Sequence, residues 1–450
     1  MKKLSPKSLS VCLIVKNEEK MLAECLNSIQ PIADQIIVLD TGSSDGTLEI
    51  AKSYNAELYH SEWSDDFSAA RNESIKYATC DWILWIDADE RLTQDSIHTL
   101  QKLLKFEKSP VIYKVRIKNL KEDGVNFTLS DGHRLFTNHR RIQFSGKIHE
   151  QISPSATKVG AEERSCDVVL DHYGYSFTGK EKSKKQTRNR KILLAEVAAN
   201  PRSAYAHFTL GHNYKVDNEL EAAERHYRTA LELKQFDPSM EASLLNTYAD
   251  TLFDLGRIPE AEALIQKSLN IEKLQNAAYF LSYRVCLSKK DVAGAIRSLR
   301  IILDQFTQIQ KSGSRISTDI EIDKAAIRRT LGDLYIQIES WAEAAQAYES
   351  CLKESKGSIP ILRKYFNALE QLENWHTALD VLGQLIQLEG EMPIYLNAIA
   401  TILIRLEEFE AAIQIFLRFN ELQPGDPEVR RKIASLYTKM GQLNQAKQWM

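Results

Sequence analysis

The chain has 450 residues, 43% of them hydrophobic and 26% charged, with a formal net charge of −3. A single core stops growing well before this length, so at least two domains are expected, and the composition excludes a disordered or membrane-embedded chain. So small a charge shows no global bias toward nucleic acid, and six scattered cysteines without a CxxC pair point to neither a zinc cluster nor a disulfide framework.

Lys2 and Lys3 imitate the start of a secretion signal, but the apolar run Val11 to Val15 is shorter than the ~7 residues such a signal needs. No stretch reaches the ~18 apolar residues of a membrane span, so a cytoplasmic protein is expected. From residue 9 to about 120, short apolar runs alternate with amphipathic stretches, the pattern of a parallel sheet covered by helices. LSVCLIV (9–15), QIIVLD (35–40), AELYH (56–60) and DWILWIDAD (81–89) read as strands. NEEKMLAECLNSI, DGTLEIAKSYN and DDFSAARNESIKYA read as the intervening helices, with Asn17 and Asp45 as N-caps. Beyond residue 110, VIYKVRIKN, VNFTLS, HRLFT and DVVLDHYGY read as strands of a mixed sheet.

The stretch WILWIDADE (82–90) runs five apolar residues into three carboxylates. A buried parallel strand brings its carboxyl end to the crevice where open α/β folds bind ligands. Asp87 and Asp89, two residues apart, are expected on the same side of that strand, where each would raise the other's pKa unless a cation intervened. Oxygen ligands of this kind suit Mg²⁺ or Mn²⁺ shared with nucleotide phosphates. The alternative is a solvated acidic turn.

The segment GKEKSKKQTRNRK (179–191) holds seven basic residues and one acid, and reads as a solvated linker helix or as a basic wall for an acidic ligand. Downstream, Ala344, Ala378, Ala412 and Ala446 recur every 34 residues, and Ala223, Ala261 and Ala295 extend the series with steps of 38, 34 and 49. This period resembles the tetratricopeptide repeat, a pair of helices that buries its apolar face only by stacking on its neighbours. Seven units are expected, stacked with a concave surface, with a polar insertion around 307–319 and the chain stopping at Met450 inside the last helix.

The segments SVCLIVKNEEKMLAECLNSI, IIVLDTGSSDGTLEIAKSY and WSDDFSAARNESIKYATCDWILWIDADE resemble the family 2 glycosyltransferases of the GT-A fold, over residues 9 to about 175. The succession DFSAARN, WIDADE, HRLF, GKIHE, HYGY and then helical repeats is similar to the branch that includes the peptide S-glycosyltransferases of glycosylated bacteriocins, with relatives linked to lipopolysaccharide-core glycosylation. The resemblance implies an α/β GT-A (Rossmann-like) nucleotide-sugar domain over 1–178, a basic linker helix over 179–201 and an all-α tetratricopeptide-repeat solenoid over 202–450.

It also implies roles. Val15, Asn17, Glu18, Asp40, Arg71, Asp87 and Ala88 would contact the donor nucleotide, with Asp40 accepting from the base, commonly uracil. Arg71 would lie over the diphosphate, which an always-charged fork suits; the alternative is a surface salt bridge to Asp65 or Asp66. His172 would complete the metal shell of Asp87 and Asp89. Glu150 is the expected base that deprotonates the acceptor, with Asp131 as second candidate; the alternative pairs Glu150 with Lys147 or Arg141. His133, Arg134 and His149 would line the acceptor pocket.

These implications add up to an inverting, Mn²⁺- or Mg²⁺-dependent transfer of a sugar from a nucleotide-sugar, a UDP-sugar, to a peptide or protein held by the repeat groove. The alternatives are a lipopolysaccharide or cell-surface saccharide acceptor, with the repeats serving homo-oligomer formation, and a noncatalytic repeat scaffold. Neither GxGxxG after the first strand nor GxxxxGK[ST] occurs, which argues against a dehydrogenase or a P-loop NTPase.

Overall fold

The computed structural model describes residues 7–105, 107–120, 127–174, 179–312, 323–354 and 357–450. Lys2, Lys3, the start of VNFTLS, Tyr175 and residues 313–319 of the polar insertion lie outside the described residues. By packing, the chain divides into two units, Met1–Leu281 with Gln305–Glu321, and Ser282–Asp304 with Ile322–Met450.

The first unit opens on a sheet in which β1 (Leu9–Val15), β2 (Gln35–Asp40), β3 (Glu57–His60) and β4 (Trp82–Trp85) are parallel. The strands β5 (Glu90–Leu92), β6 (Val111–Leu120), β7 (Phe127–Thr137) and β8 (Glu162–His172) complete the order β3-β2-β1-β4-β7-β6-β8-β5 among the described residues. β7 runs antiparallel to β4, so the sheet is mixed beyond its parallel half. Helices α1 (Leu22–Ile29), α2 (Thr47–Ser53), α3 (Phe67–Lys76), α4 (Gln94–Leu103) and α5 (Ser153–Lys158) connect the strands.

The alternation of the strands builds a core on each face. Leu9, Val11, Leu13 and Val15 of β1 pack with Leu22, Cys25, Leu26 and Ile29, which recur at three- and four-residue steps along α1. Cys12 faces the other way, into a second core with Ile37, Ile83, Phe136 and Ile142. Burying nonpolar surface on both faces is what makes β1 and β2 read as continuous apolar runs.

Three local expectations change. Asn17 caps no helix: α1 begins five residues later, and Asn17 has φ +58°. The run 81–89 is not one strand, since β4 stops at Trp85. VNFTLS and HRLFT belong to one strand, β7, within its described part.

Within the first unit the helices continue as α6 (Gly179–Ala199), α7 (Ala204–Val216), α8 (Leu220–Glu232), α9 (Pro238–Asp254) and α10 (Ile258–Ile271), and the division between units falls within α11 (Asn276–Ser288) and α12 (Val292–Ser312). The second unit continues with α13 (Lys324–Gln337), α14 (Trp341–Glu354), α15 (Ile359–Gln371), α16 (Trp375–Glu389), α17 (Pro393–Arg405), α18 (Phe409–Leu422), α19 (Pro427–Lys439) and α20 (Leu443–Trp449).

The seven periodic alanines, Ala223 to Ala446, are all buried to 1% exposure or less. They sit where paired helices cross, and in the α7–α8 and α13–α14 pairs a glycine opposes an aromatic ring. A Cβ at Gly211 would stand 2.8 Å from Tyr227, and one at Gly332 would stand 2.5 Å from Tyr348. Residues in the left-handed region, Asn218, Gly256, Lys290, Glu339, Glu373, Glu407 and Gly441, end the first helix of each pair. They repeat with the same steps as the alanines, so turn and crossing share one period.

Candidate functional site

The site forms where the parallel strands end. Beyond Trp85 the chain turns, with the Glu90 N–H donating to the Asp87 carbonyl at 3.0 Å, and β5 starts at Glu90. Asp87 and Asp89 are thus turn residues, and strand alternation does not bring their carboxylates to one face. Arg91, which carried no sequence signal, holds this turn by donating from Nη1 to the Ala88 carbonyl at 2.7 Å and the Glu90 carbonyl at 2.9 Å.

Asp87 faces cations supplied by the protein. Arg71 Nη2 donates to Asp87 Oδ1 at 2.9 Å, and Arg134 Nη2 lies 3.6 Å from Oδ2. Arg71 Nε donates to Glu150, while Arg134 Nη2 donates to Glu90 Oε1 at 2.6 Å. Both guanidinium groups stack on Trp85, at 3.7 Å for Arg71 and 3.4 Å for Arg134 from the ring centroid. Arg134 reaches this cluster because the β6–β7 pairing skips it, a bulge that re-aims its side chain. Its Nε and Nη1 atoms are buried without a hydrogen-bond partner.

The electrostatics divide the acids. Burial works against the Asp87 carboxylate, but Arg71 and Arg134 outweigh it and hold Asp87 far below the usual carboxylate range. Glu90 is almost fully buried, and there desolvation prevails over Arg134 and pushes its pKa up. Arg71 therefore pairs with Asp87 and Glu150, not with Asp65 or Asp66, and Glu150 pairs with Arg71, not with Lys147 or Arg141.

Asp89 points elsewhere, with Oδ2 3.3 Å from His172 Nε2. β5 and β8 pair Glu90 with His172, which places the imidazole beside the turn. Nδ1 of His172 lies 2.8 Å from Asn119 Oδ1, an acceptor, so Nδ1 carries a proton and Nε2 is left to face the carboxylate. Such an Nε2 is either protonated or shares a cation with Asp89. Burial opposes the imidazolium, but Asp89, Glu90 and Asp87 outweigh it and raise the His172 pKa. A Cβ at Gly174 would fall 2.5 Å from both Asp89 Oδ2 and His172 Nε2, so glycine leaves this corner open.

The expected Asp87–Asp89–His172 set is not assembled. Among the described residues no group of three His, Cys, Asp or Glu side chains converges as for a metal ion, because the turn sends Asp87 to the arginines. Asp89 and His172, with the space left by Gly174, are the pair that fits a cation.

At the ends of β1 and β2, two loops lace together into a rim. The Thr41 N–H and hydroxyl donate to the Val15 carbonyl at 2.9 and 3.0 Å, and Asn17 Oδ1 accepts from the Ser44 N–H at 2.7 Å. The Glu18 N–H donates to Thr47 Oγ1 at 2.7 Å. Asp40 accepts from Gly42 and Ser43 N–H groups at 3.0 to 3.2 Å and lies 3.2 Å from His60 Nδ1. Burial opposes its charge, but these hydrogen bonds prevail and hold Asp40 below the ordinary range.

Glu150 sits in a seven-residue loop closed by a bridge between Ser145 and Gln151. In the DFSAARN stretch, Asp66 fixes the start of α3 and Asn72 fixes the chain entering this loop. Asp66 caps α3 by accepting from the Ala69 N–H at 2.9 Å, worth about 1 kcal/mol. Asn72 bonds Phe144 twice, accepting from its N–H at 2.7 Å and donating to its carbonyl at 2.9 Å. Both are structural parts of the signature.

The side chains of Asp131 and His133 turn away from this cluster, although the His133 carbonyl accepts from Trp85 Nε1 at 2.7 Å. Asp131 faces Arg116 at 3.9 Å, and His133 Nε2 lies 3.0 Å from Glu163 Oε2. His149, at φ +54°, contributes its carbonyl as an acceptor for Tyr205. In the basic helix α6, Arg190 is spent on Asp217 and Glu219 rather than offered to a ligand.

Fold and site together define a two-part protein, an α/β domain with a charged cluster at the carboxyl edge of its sheet and an array of helix pairs. Residues 10–160 match the model of the glycosyl transferase family 2, and residues 366–427 match a tetratricopeptide repeat model. The N-terminal domain is a family 2 glycosyl transferase domain, of a family that generally works with a divalent metal, and the helix pairs are tetratricopeptide repeats.

A TPR repeat-containing protein of Synechococcus elongatus is 33% identical over 53% of this chain and 60% of its own, so the chain spans less than two thirds of that relative. The SPbeta prophage-derived glycosyltransferase SunS of Bacillus subtilis is 24% identical over 82% of this chain and 86% of its own. An uncharacterized glycosyltransferase of Rickettsia typhi is 38% identical over 20% of this chain and 30% of its own. The crystal structure of MamA covers 41% of this chain and 91% of its own at 18% identity and a TM-score of 0.33. No helix among the described residues is long and apolar enough to cross a membrane.

Proposed function

We propose that the protein is an inverting glycosyltransferase that moves a sugar from a nucleotide-sugar, a UDP-sugar, to a peptide or protein acceptor. The observation that carries this is the Arg71–Asp87–Arg134 cluster stacked on Trp85 at the carboxyl edge of a family 2 domain. Two guanidinium groups, one with two unpartnered buried nitrogens, suit a diphosphate. Asp40 at the end of β2 takes the nucleotide base, and Val15, Asn17, Glu18 and Ala88 wrap it and the ribose.

When the diphosphate engages Arg71, Glu150 is released from its ion pair and accepts the proton of the incoming Cys, Ser or Thr group. The nucleophile bonds to the anomeric carbon from the face opposite the diphosphate, the carbon–oxygen bond to the phosphate breaks, and the nucleoside diphosphate leaves with that electron pair. Asp89 and His172 would hold a divalent cation, Mn²⁺ or Mg²⁺, which would supply neutralisation of the leaving diphosphate. The tetratricopeptide repeats over 202–450 support a protein or peptide acceptor, since such arrays offer extended binding surfaces.

The test is nucleotide release by the purified protein across a panel of nucleotide-sugars, with Mn²⁺, Mg²⁺ or EDTA, beside Asp87→Ala. Release from one donor that needs the metal and disappears in the variant is expected. Neither release nor binding of any donor would leave a noncatalytic repeat scaffold.

A further inference from the structure

We propose that Tyr205, on the first repeat helix α7, is a positioning residue of the transferase site, so that the repeat array supplies part of the fold that presents Glu150. This rests on the glycosyl-transfer function proposed above.

The loop 145–151 is gripped from two sides. On the transferase side, Asn72 clamps Phe144, and the Lys147 carbonyl accepts from the Phe67 N–H at 3.0 Å. On the helix side, Glu196 of α6 faces Lys147, and the Tyr205 hydroxyl donates to the His149 carbonyl at 2.5 Å. Ile148 between them is buried with Ile192 and Leu193 of α6 and Leu210 of α7.

His149 is the residue that needs such a grip. Its φ of +54° is a left-handed conformation that a residue with a Cβ adopts only against a steric cost. That twist directly precedes Glu150 and aims it at Arg71. Fixing the His149 carbonyl fixes the peptide plane between His149 and Glu150, because a peptide unit is rigid. Tyr205 thereby sets the direction of the Glu150 backbone without touching either substrate.

The experiment compares the full-length wild type, Tyr205→Phe, and Tyr248→Phe as a control that loses a hydroxyl contact to Glu224, at 2.8 Å, within the repeats. The readouts are kcat and KM for nucleotide release and amide hydrogen exchange over residues 145–151. Loss of one hydrogen bond should lower kcat by about tenfold in Tyr205→Phe with the donor KM unchanged, and should speed exchange at 148–151 but not in β2. The control should match the wild type in both. Unchanged exchange at 148–151 would overturn the tether whatever the activity. Faster exchange with unchanged kcat would overturn its role in the reaction. A wild type that releases no nucleotide would instead defeat the glycosyl-transfer function, with the exchange data still deciding the tether.

Discussion

Arg71 donates through Nε to Glu150 and through Nη2 to Asp87, so one guanidinium ties the acid beyond β4 to the acid of the 145–151 loop. A lysine carries the charge but has no fork with which to bridge both partners. Arg71→Lys should lower nucleotide release by about 100-fold or more, since the two-point positioning is lost although the charge stays. It should also lower the urea midpoint, because a lysine cannot bridge both acids and leaves one of them without its hydrogen bond. Near-normal turnover in this variant would remove Arg71 from the donor site.

Glu150→Gln keeps the shape of the side chain and removes its basicity. If Glu150 takes the acceptor proton, kcat for transfer should fall by about 10²–10⁴-fold while donor affinity, measured by calorimetry, is retained. Transfer at the wild-type rate would return Glu150 to a purely structural partner of Arg71.

The Asp89–His172 corner gives a steric test as well as a chemical one. Asp89→Ala should abolish metal-dependent turnover and leave the helical circular dichroism intact. Gly174→Ala puts a methyl group 2.5 Å from both Asp89 Oδ2 and His172 Nε2 and should raise the Mn²⁺ concentration needed for half-maximal activity. An unchanged Mn²⁺ requirement in Gly174→Ala would mean that the cation sits elsewhere.

A pH dependence is built into the first repeat. His207 Nε2 donates to the Pro201 carbonyl at 3.1 Å, so its Nδ1 accepts from His226 Nδ1 at 2.9 Å. Burial, with His207 and Arg225 adding to it, pushes the His226 pKa down to about 4. The unfolded chain, with a His near ~6.5, then takes up the proton first. Stability from this pair is complete above the unfolded value and is lost as the pH falls toward the folded one. The melting temperature should therefore drop between pH 7 and pH 5, and His226→Asn, which keeps a donor for His207, should flatten that drop. Identical pH profiles for the two proteins would contradict it.

Much of this architecture is legible in the sequence because its signals are periodic. The continuous apolar runs of β1 and β2 and the alanine spacing each repeat a physical constraint many times. The site is less legible. Asp87 and Asp89 look like strand neighbours, and only the turn at 87–90 separates them into an arginine-bound acid and a histidine-bound one. Arg134 enters through a bulge, and Glu90 and Arg91 act through burial and backbone contacts, none of which a spacing rule detects. Asp66 and Asn72 illustrate the converse, a motif whose residues hold the site in place rather than line it.

The left-handed residues Glu339, Glu373 and Glu407 stand one period apart, each closing the first helix of a pair. They divide the array into interchangeable cassettes. Splicing the chain between two such seams adds or removes a complete helix pair and joins backbone of matching conformation and side chains of matching register. The length of the array can thus change in whole steps during evolution, without redesign of the sheet or of the charged cluster at its edge.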